Sequence, residues 1–132
     1  MIVVDATWAT PVLLRPLEQG ADVVLHSCTK YVGGHSDVLG GVIVTGSTTS
    51  AVALESKLRL AQQLCGGVMG PWESYMSLRG LRTLHVRMER HCRSALTLAT
   101  LLASHRRVSE VLYPGLPSHP QHLLAKQQMG NM

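Results

Sequence analysis

The sequence has no phenylalanine, and aromatic residues make up only 4% of its 132 positions. Charged residues amount to 15%, and no run of like charges occurs. The formal charge of +4 is therefore not gathered into a basic tract interleaved with aromatics, and nucleic acid is not expected as a partner. Cysteine is sparse and odd in number: Cys28, Cys65 and Cys92 form no C-x-x-C pair. This argues against a disulfide framework or a zinc ribbon and points to a reducing, cytoplasmic setting. The longest apolar stretch, residues 95–103, contains Thr97 and Thr100 and falls far short of the ~20 residues of a membrane span. The first residues lack a basic region followed by an apolar one, so no secretory signal and no membrane partner are expected. Neither G-K-[ST] nor G-x-G-x-x-G occurs, which removes the usual nucleotide loops. His26, Cys28, His35 and Asp37 could be written as a metal constellation, but no ligand spacing supports it and no metal is expected.

Hydrophobic residues make up 45% of the chain, enough for one core in a chain of this length. Residues 1–4 form an apolar, β-branched run that reads as a buried strand, and residues 21–26 and 42–44 read as two more. Between the first two, Pro11 and Pro16 suit a turn into a short helix that stops at Gly20. Thr48 or Thr49 is a plausible N-cap for a helix to about Leu64, with Val52, Leu58, Ala61 and Leu64 along one side, and Gly66 and Gly67 end it. Pro71 opens a short helix to about Leu78. Leu81, Leu84, Met88, Cys92, Ala95, Ala99 and Leu102 then form an apolar stripe that predicts the longest helix, over residues 83–104. Residues 108–113 read as a strand, and residues 122–128 as the start of a helix. Trp8 and Trp72 read as packing residues, and His119 and His122, in a proline-rich turn, as hydrogen-bonded to backbone. Strands alternating with helices predict an α/β fold with a largely parallel sheet. The abrupt strand at the start and the ending at Gly130, Asn131 and Met132 suggest a piece of something longer.

Three features crowd the first forty residues: Asp5 at a strand end, Ser27, Thr29 and Lys30 at the next strand end, and a loop punctuated by Gly33, Gly34, Gly40 and Gly41. Ligands of open α/β sheets bind beyond the carboxyl ends of strands, so these residues would face one crevice. On an extended segment Ser27 and Thr29 would point the same way, giving two hydroxyl donors in line for an anion such as a phosphate. A lysine at the mouth of an apolar site loses its proton more easily than a free one, and a neutral amine can react with an aldehyde. Pyridoxal phosphate (PLP) has an aldehyde, a phosphate and a pyridine nitrogen whose proton a carboxylate such as Asp5 could hold. The residues alone do not single it out, because a Ser-x-Thr-Lys stretch equally suits a strand end with a solvated lysine.

The longer stretches are more specific. Val4-Asp5-Ala6-Thr7-Trp8-Ala9-Thr10-Pro11 and Pro16-Leu17-Glu18-Gln19-Gly20-Ala21-Asp22 are similar to the V-D-N-T-x-x-T-P and P-L-x-x-G-A-D segments of the Cys/Met-metabolism PLP enzymes, the cystathionine gamma-synthase and gamma-lyase group. His26-Ser27-Cys28-Thr29-Lys30-Tyr31, with Gly34-His35-Ser36-Asp37-Val38-Leu39-Gly40-Gly41, resembles that family's H-S-x-T-K-Y-x-x-G-H-S-D-V-x-G-G signature. The resemblance continues through residues 77–84 and 113–121. Ala6 and Cys28 depart from it, standing where Asn and Ala are usual.

The resemblance implies a fold-type I PLP-dependent transferase, aspartate-aminotransferase-like. Residues 1–75 would close its PLP-binding large domain, and residues 76–132 would open its C-terminal domain. It implies that Lys30 is the catalytic lysine and binds the cofactor covalently, that Asp5 faces the pyridine nitrogen, and that Ser27 and Thr29 bind the phosphate. The implied activity is trans-sulfuration, by γ-replacement or elimination on cystathionine or an activated homoserine, in a homo-oligomer. Sibling activities are cystathionine beta-lyase, methionine gamma-lyase and homoserine sulfhydrylase. By the same resemblance the ring-stacking tyrosine and the carboxylate-binding arginine lie outside residues 1–132, so the chain by itself is expected to be inactive. The alternative is a truncated product that at most associates with full-length subunits.

Overall fold

The structure is a computed structural model and describes residues 1–130. The chain divides into two compact units, residues 1–84 and 85–132.

The first unit is built on a three-stranded sheet in the order β1-β2-β3, with β1 at Val3–Asp5, β2 at Val23–Ser27 and β3 at Gly41–Thr45. β1 and β2 are parallel, with Asp5 level with Leu25. β2 and β3 are antiparallel, with Ser27 level with Gly41, which corrects the expectation of a largely parallel sheet. The apolar Val42-Ile43-Val44 run specifies a strand but carries no direction. The short return through the glycine loop, without a crossover helix, sets the direction.

Between β1 and β2 lie α1 (Thr10–Leu13) and a 3-10 turn (Pro16–Gln19), which Gly20 closes in the left-handed region at φ 93. β2 is the most buried strand: Val23 and Val24 are each 3% exposed, and burying such a side chain is worth roughly 1.5–3 kcal/mol. The Thr48 side chain caps α2 (Thr49–Cys65) by accepting from the Ala51 amide at 3.1 Å. The same hydroxyl donates to Asp22 at 2.7 Å, so one residue starts the helix and ties it to the head of β2. α3 (Pro71–Leu81) opens on a proline, as its sequence predicts.

Two expectations about burial are corrected. Residues 1–3 are not core here, since Ile2 is 57% and Val3 50% exposed, and only Val4 of the run packs against the core: among the described residues β1 is an edge strand paired with β2. Trp8 and Trp72 are also exposed, and each meets a tyrosine ring rather than a core. Trp8 is edge-on to Tyr31 at 6.2 Å, and Trp72 is tilted against Tyr75 at 6.0 Å.

α4 (Leu84–Ala103) follows α3 and carries into the second unit, which also holds α5 (His122–Met129). Leu84, Met88 and Ala99 of the predicted stripe are buried, while Glu89 and Arg93 pair at 2.7 Å on an exposed face. Residues 108–113 form no strand, correcting that expectation. A strand needs a neighbour to satisfy its backbone, and among the described residues the second unit offers none. Turn bonds serve instead, from the Val108 amide to the His105 carbonyl and from the Leu116 amide to the Tyr113 carbonyl, both at 2.9 Å. His119 and His122 bond backbone as expected: His119 Nδ1 accepts from the Gln121 amide at 3.1 Å, and His122 Nδ1 lies 2.8 Å from the Pro114 carbonyl. Residues 131 and 132, part of the terminal expectation, lie outside the described residues.

Candidate cofactor site

Parallel pairing puts the carboxyl ends of β1 and β2 on one edge of the sheet, and the antiparallel β3 begins at that same edge. Asp5, Ser27 and the lysine turn gather there because of this topology. Beyond Ser27 the chain does not stay extended. Residues Cys28–Val32 wind into a π-type turn closed by the Gly33 amide on the Cys28 carbonyl at 2.8 Å, with a kink at Lys30 (φ −96, ψ −123). Lys30 is exposed and makes no ion pair among the described residues.

The turn separates the roles of the two hydroxyls. Ser27 ends the strand, lines an open cleft of about 890 Å³, and its hydroxyl has no protein partner among the described residues. Thr29 lies inside the turn, so the strand-like alternation of the two does not hold. Its hydroxyl accepts from the Gly40 amide at 3.1 Å and donates to the Gly40 carbonyl at 3.3 Å. The Cys28 amide reaches the same carbonyl at 2.8 Å. Thr29 thus fastens the glycine loop against the lysine turn.

Asp5 is exposed at the end of β1. Its carboxylate interacts with the Thr7 hydroxyl and accepts the Thr7 amide at 2.9 Å, and together these hold it below the ordinary carboxylate range. Burial opposes the shift, and the nearby His26 adds to it. The Thr7 hydroxyl also accepts the Ser27 amide at 2.7 Å, joining the ends of the two strands. Thr7 is a site residue that the sequence reading missed. Only half of its signal was present: an Asp side chain commonly accepts the amide two residues on, but that turn does not call for a hydroxyl there.

The other face of β2 is different. His26 and Cys28 line a largely apolar cavity of about 540 Å³ with Val24, Val42, Val44 and Ser77. Burial pushes the His26 pKa down, opposed by a backbone hydrogen bond to Ala6 and by Asp5, and His26 Nδ1 has no partner among the described residues. Burial raises the Cys28 thiol pKa, and a hydrogen bond with Ser77 partly offsets this. α3 packs close to the lysine turn because Gly80 has no side chain: a Cβ there would collide with the carbonyl oxygens of Val32 and Gly33.

The description "Cys/Met metabolism PLP-dependent enzyme" matches residues 1–132. The chain belongs to that family. Among Cys/Met metabolism PLP-dependent enzymes it is 53% identical over 127 residues to the cystathionine beta-lyase of Coxiella burnetii, covering 96% of this chain and 32% of that protein. It is 52% identical over 128 residues to the cystathionine gamma-synthase of Mycobacterium tuberculosis, covering 97% and 32%. Among solved structures it is similar to metB from Corynebacterium glutamicum, with TM-score 0.92, 47% identity and coverage of 98% of this chain and 33% of that one. It is also similar to a cystathionine gamma synthase from Xanthomonas oryzae pv. oryzae solved with aminoacrylate and cysteine, with TM-score 0.90, 43% identity and coverage of 98% and 32%. The fold is therefore part of the fold-type I PLP architecture, and the chain spans about a third of the length of these family members. Among the described residues no helix is long and apolar enough to cross a membrane.

The donors at the sheet edge fit the family's cofactor. A carboxylate held ionised suits a protonated ring nitrogen, a strand-end hydroxyl without a protein partner suits a phosphate oxygen, and an exposed amine suits an aldehyde.

Proposed function

We propose that this chain carries the lysine half of the PLP site of a trans-sulfuration enzyme. The reaction is γ-replacement or elimination on cystathionine or an activated homoserine, of the cystathionine gamma-synthase or gamma-lyase type. The observation that supports this most is the gathering of Asp5, Ser27 and the Lys30 turn at one sheet edge. Lys30 is the residue that holds the cofactor, Asp5 faces its ring nitrogen, and Ser27 and Thr29 serve its phosphate. When bound, PLP supplies an electron sink for carbanion chemistry at the amino-acid substrate. The protein's part is positional: Asp5 keeps a proton at the ring nitrogen, Ser27 offers a donor, and Lys30 moves protons to and from the substrate carbons as base and then acid. Thr29 reaches the phosphate by exchanging its Gly40 bonds or acts through the loop it fastens.

Residues 1 to about 75 belong to the cofactor-binding domain and the remainder to the C-terminal domain. The working form is a homo-oligomer in the cytoplasm with a small sulfur amino acid as substrate. Loading with PLP, reduction with borohydride and peptide mapping test the reading, with label expected on Lys30. Label on Lys57 or Lys126, both exposed on helices, would overturn it.

A further inference from the structure

Asp5, exposed at the end of β1, has no Lys or Arg partner among the described residues. Thr7 is what touches it. The Thr7 amide donates to Oδ1 at 2.9 Å. The Thr7 hydroxyl oxygen accepts the Ser27 amide at 2.7 Å. A hydroxyl has one proton to give, and with an amide occupying an oxygen lone pair that proton is free for an acceptor. The Thr7 hydroxyl is also the largest influence that holds the neighbouring Asp5 carboxylate below its ordinary pKa. The link thus runs from the last residue of β2 to the Thr7 hydroxyl, and from the Thr7 amide to the last residue of β1. His26 on β2 is the titratable group whose charge bears on Asp5, and it is buried with its own Nδ1 unpartnered among the described residues.

We infer that Thr7 is a positioning residue, which fixes the Asp5 carboxylate against the Ser27 backbone and so couples the ring-nitrogen end of the cofactor site to its phosphate end. The inference rests on the function proposed above, because it gives Asp5 the ring nitrogen as its partner. Valine at position 7 keeps the shape and removes the hydroxyl, and with it the bond to Ser27 and the pull on Asp5. Serine keeps the bonds and removes a methyl group.

The test compares Thr7→Val and Thr7→Ser in the full-length enzyme by three readings. Carbon-13 NMR titration of Asp5 in the cofactor-free protein reports on the carboxylate itself. The dissociation constant of PLP and the pH midpoint of its bound absorbance report on the loaded site. The valine variant is expected to raise the Asp5 midpoint toward 3.8, to weaken PLP binding about tenfold, the scale of one hydrogen bond to a charged group, and to shift the absorbance midpoint. The serine variant is expected to restore all three. A folded valine variant with an unmoved Asp5 midpoint overturns the inference, as does a serine variant that fails to restore it. If the valine variant does not fold, Thr7→Ala gives the same readings. The NMR reading needs no cofactor, so failure of PLP to label Lys30 in the parent enzyme would sink the proposed function separately.

Discussion

Replacing Gly80 by alanine should destabilise the first unit although alanine is the better helix former. Gly80 lies near the end of α3, and a methyl group there would run into two carbonyl oxygens, those of Val32 and Gly33, at the end of the lysine turn. Both obstacles are backbone, so no rotamer change relieves them, and α3 or the turn has to move. Overpacking of this kind costs about 1–3 kcal/mol, and the gain from alanine over glycine inside a helix is about 1 kcal/mol. The expected net loss is up to about 2 kcal/mol. Gly67→Ala is the matched control, because nothing lies within 4 Å of its added Cβ and its backbone is not left-handed. There the unfolded chain loses freedom and the folded one loses nothing, so stability should hold or rise by up to about 1 kcal/mol. Urea unfolding followed by circular dichroism separates the two variants through their midpoints at unchanged slope. The same displacement should reduce borohydride labelling of Lys30 in Gly80→Ala and leave it unchanged in Gly67→Ala. A Gly80→Ala protein as stable as the control would refute the close approach of α3 to the turn.

Asp5→Asn in the full-length enzyme should keep PLP bound while removing most turnover at saturating cofactor, because a neutral amide cannot hold the ring proton; near-normal rates would make Asp5 merely structural. Asp22 accepts Ser50 at 2.5 Å, Thr48 at 2.7 Å and the Ile2 amide at 2.8 Å, which lowers its pKa from 3.8 to about 2. A depressed carboxylate stabilises the fold above its unfolded value and loses that contribution as pH falls through the folded one. Acid unfolding between about pH 4 and 2 should therefore flatten in Asp22→Asn, and an unchanged profile would count against the bonds described. Iodoacetamide should alkylate exposed Cys65 in the native protein well before Cys28, which is 2% exposed with its thiol pKa raised by burial; equal rates by mass spectrometry would contradict that burial.

Most elements were legible because they rest on short-range chemistry. Thr48 announces α2 through its hydroxyl, Gly20 and Gly66 end their elements in the left-handed region, and Pro71 starts α3. What could not be read depends on partners distant in sequence. Residues 108–113 have the composition of a strand but no neighbour among the described residues to pair with. Nothing in Val42, Ile43 and Val44 says which way β3 runs. At the site, the spacing of Ser27 and Thr29 suggested two parallel hydroxyls, yet the π-type turn begins between them and commits Thr29 to Gly40. Family membership was visible before any of this, since long stretches carry the signature even where the local conformation is not evident.

The antiparallel return of β3 also bears on the order in which the site can assemble. Ser27 pairs with Gly41, so the turn that carries Lys30 is enclosed by a hairpin whose innermost pair is closer in sequence than Asp5 is to Leu25. Such closures take on the order of 1–10 μs in short chains and need nothing from β1. Asp5, by contrast, reaches Leu25 only after the chain between two parallel strands has been organised around α1 and the 3-10 turn, a contact of larger sequence separation. The amine is thus set in place by a local event, and the carboxylate arrives by a longer-range one.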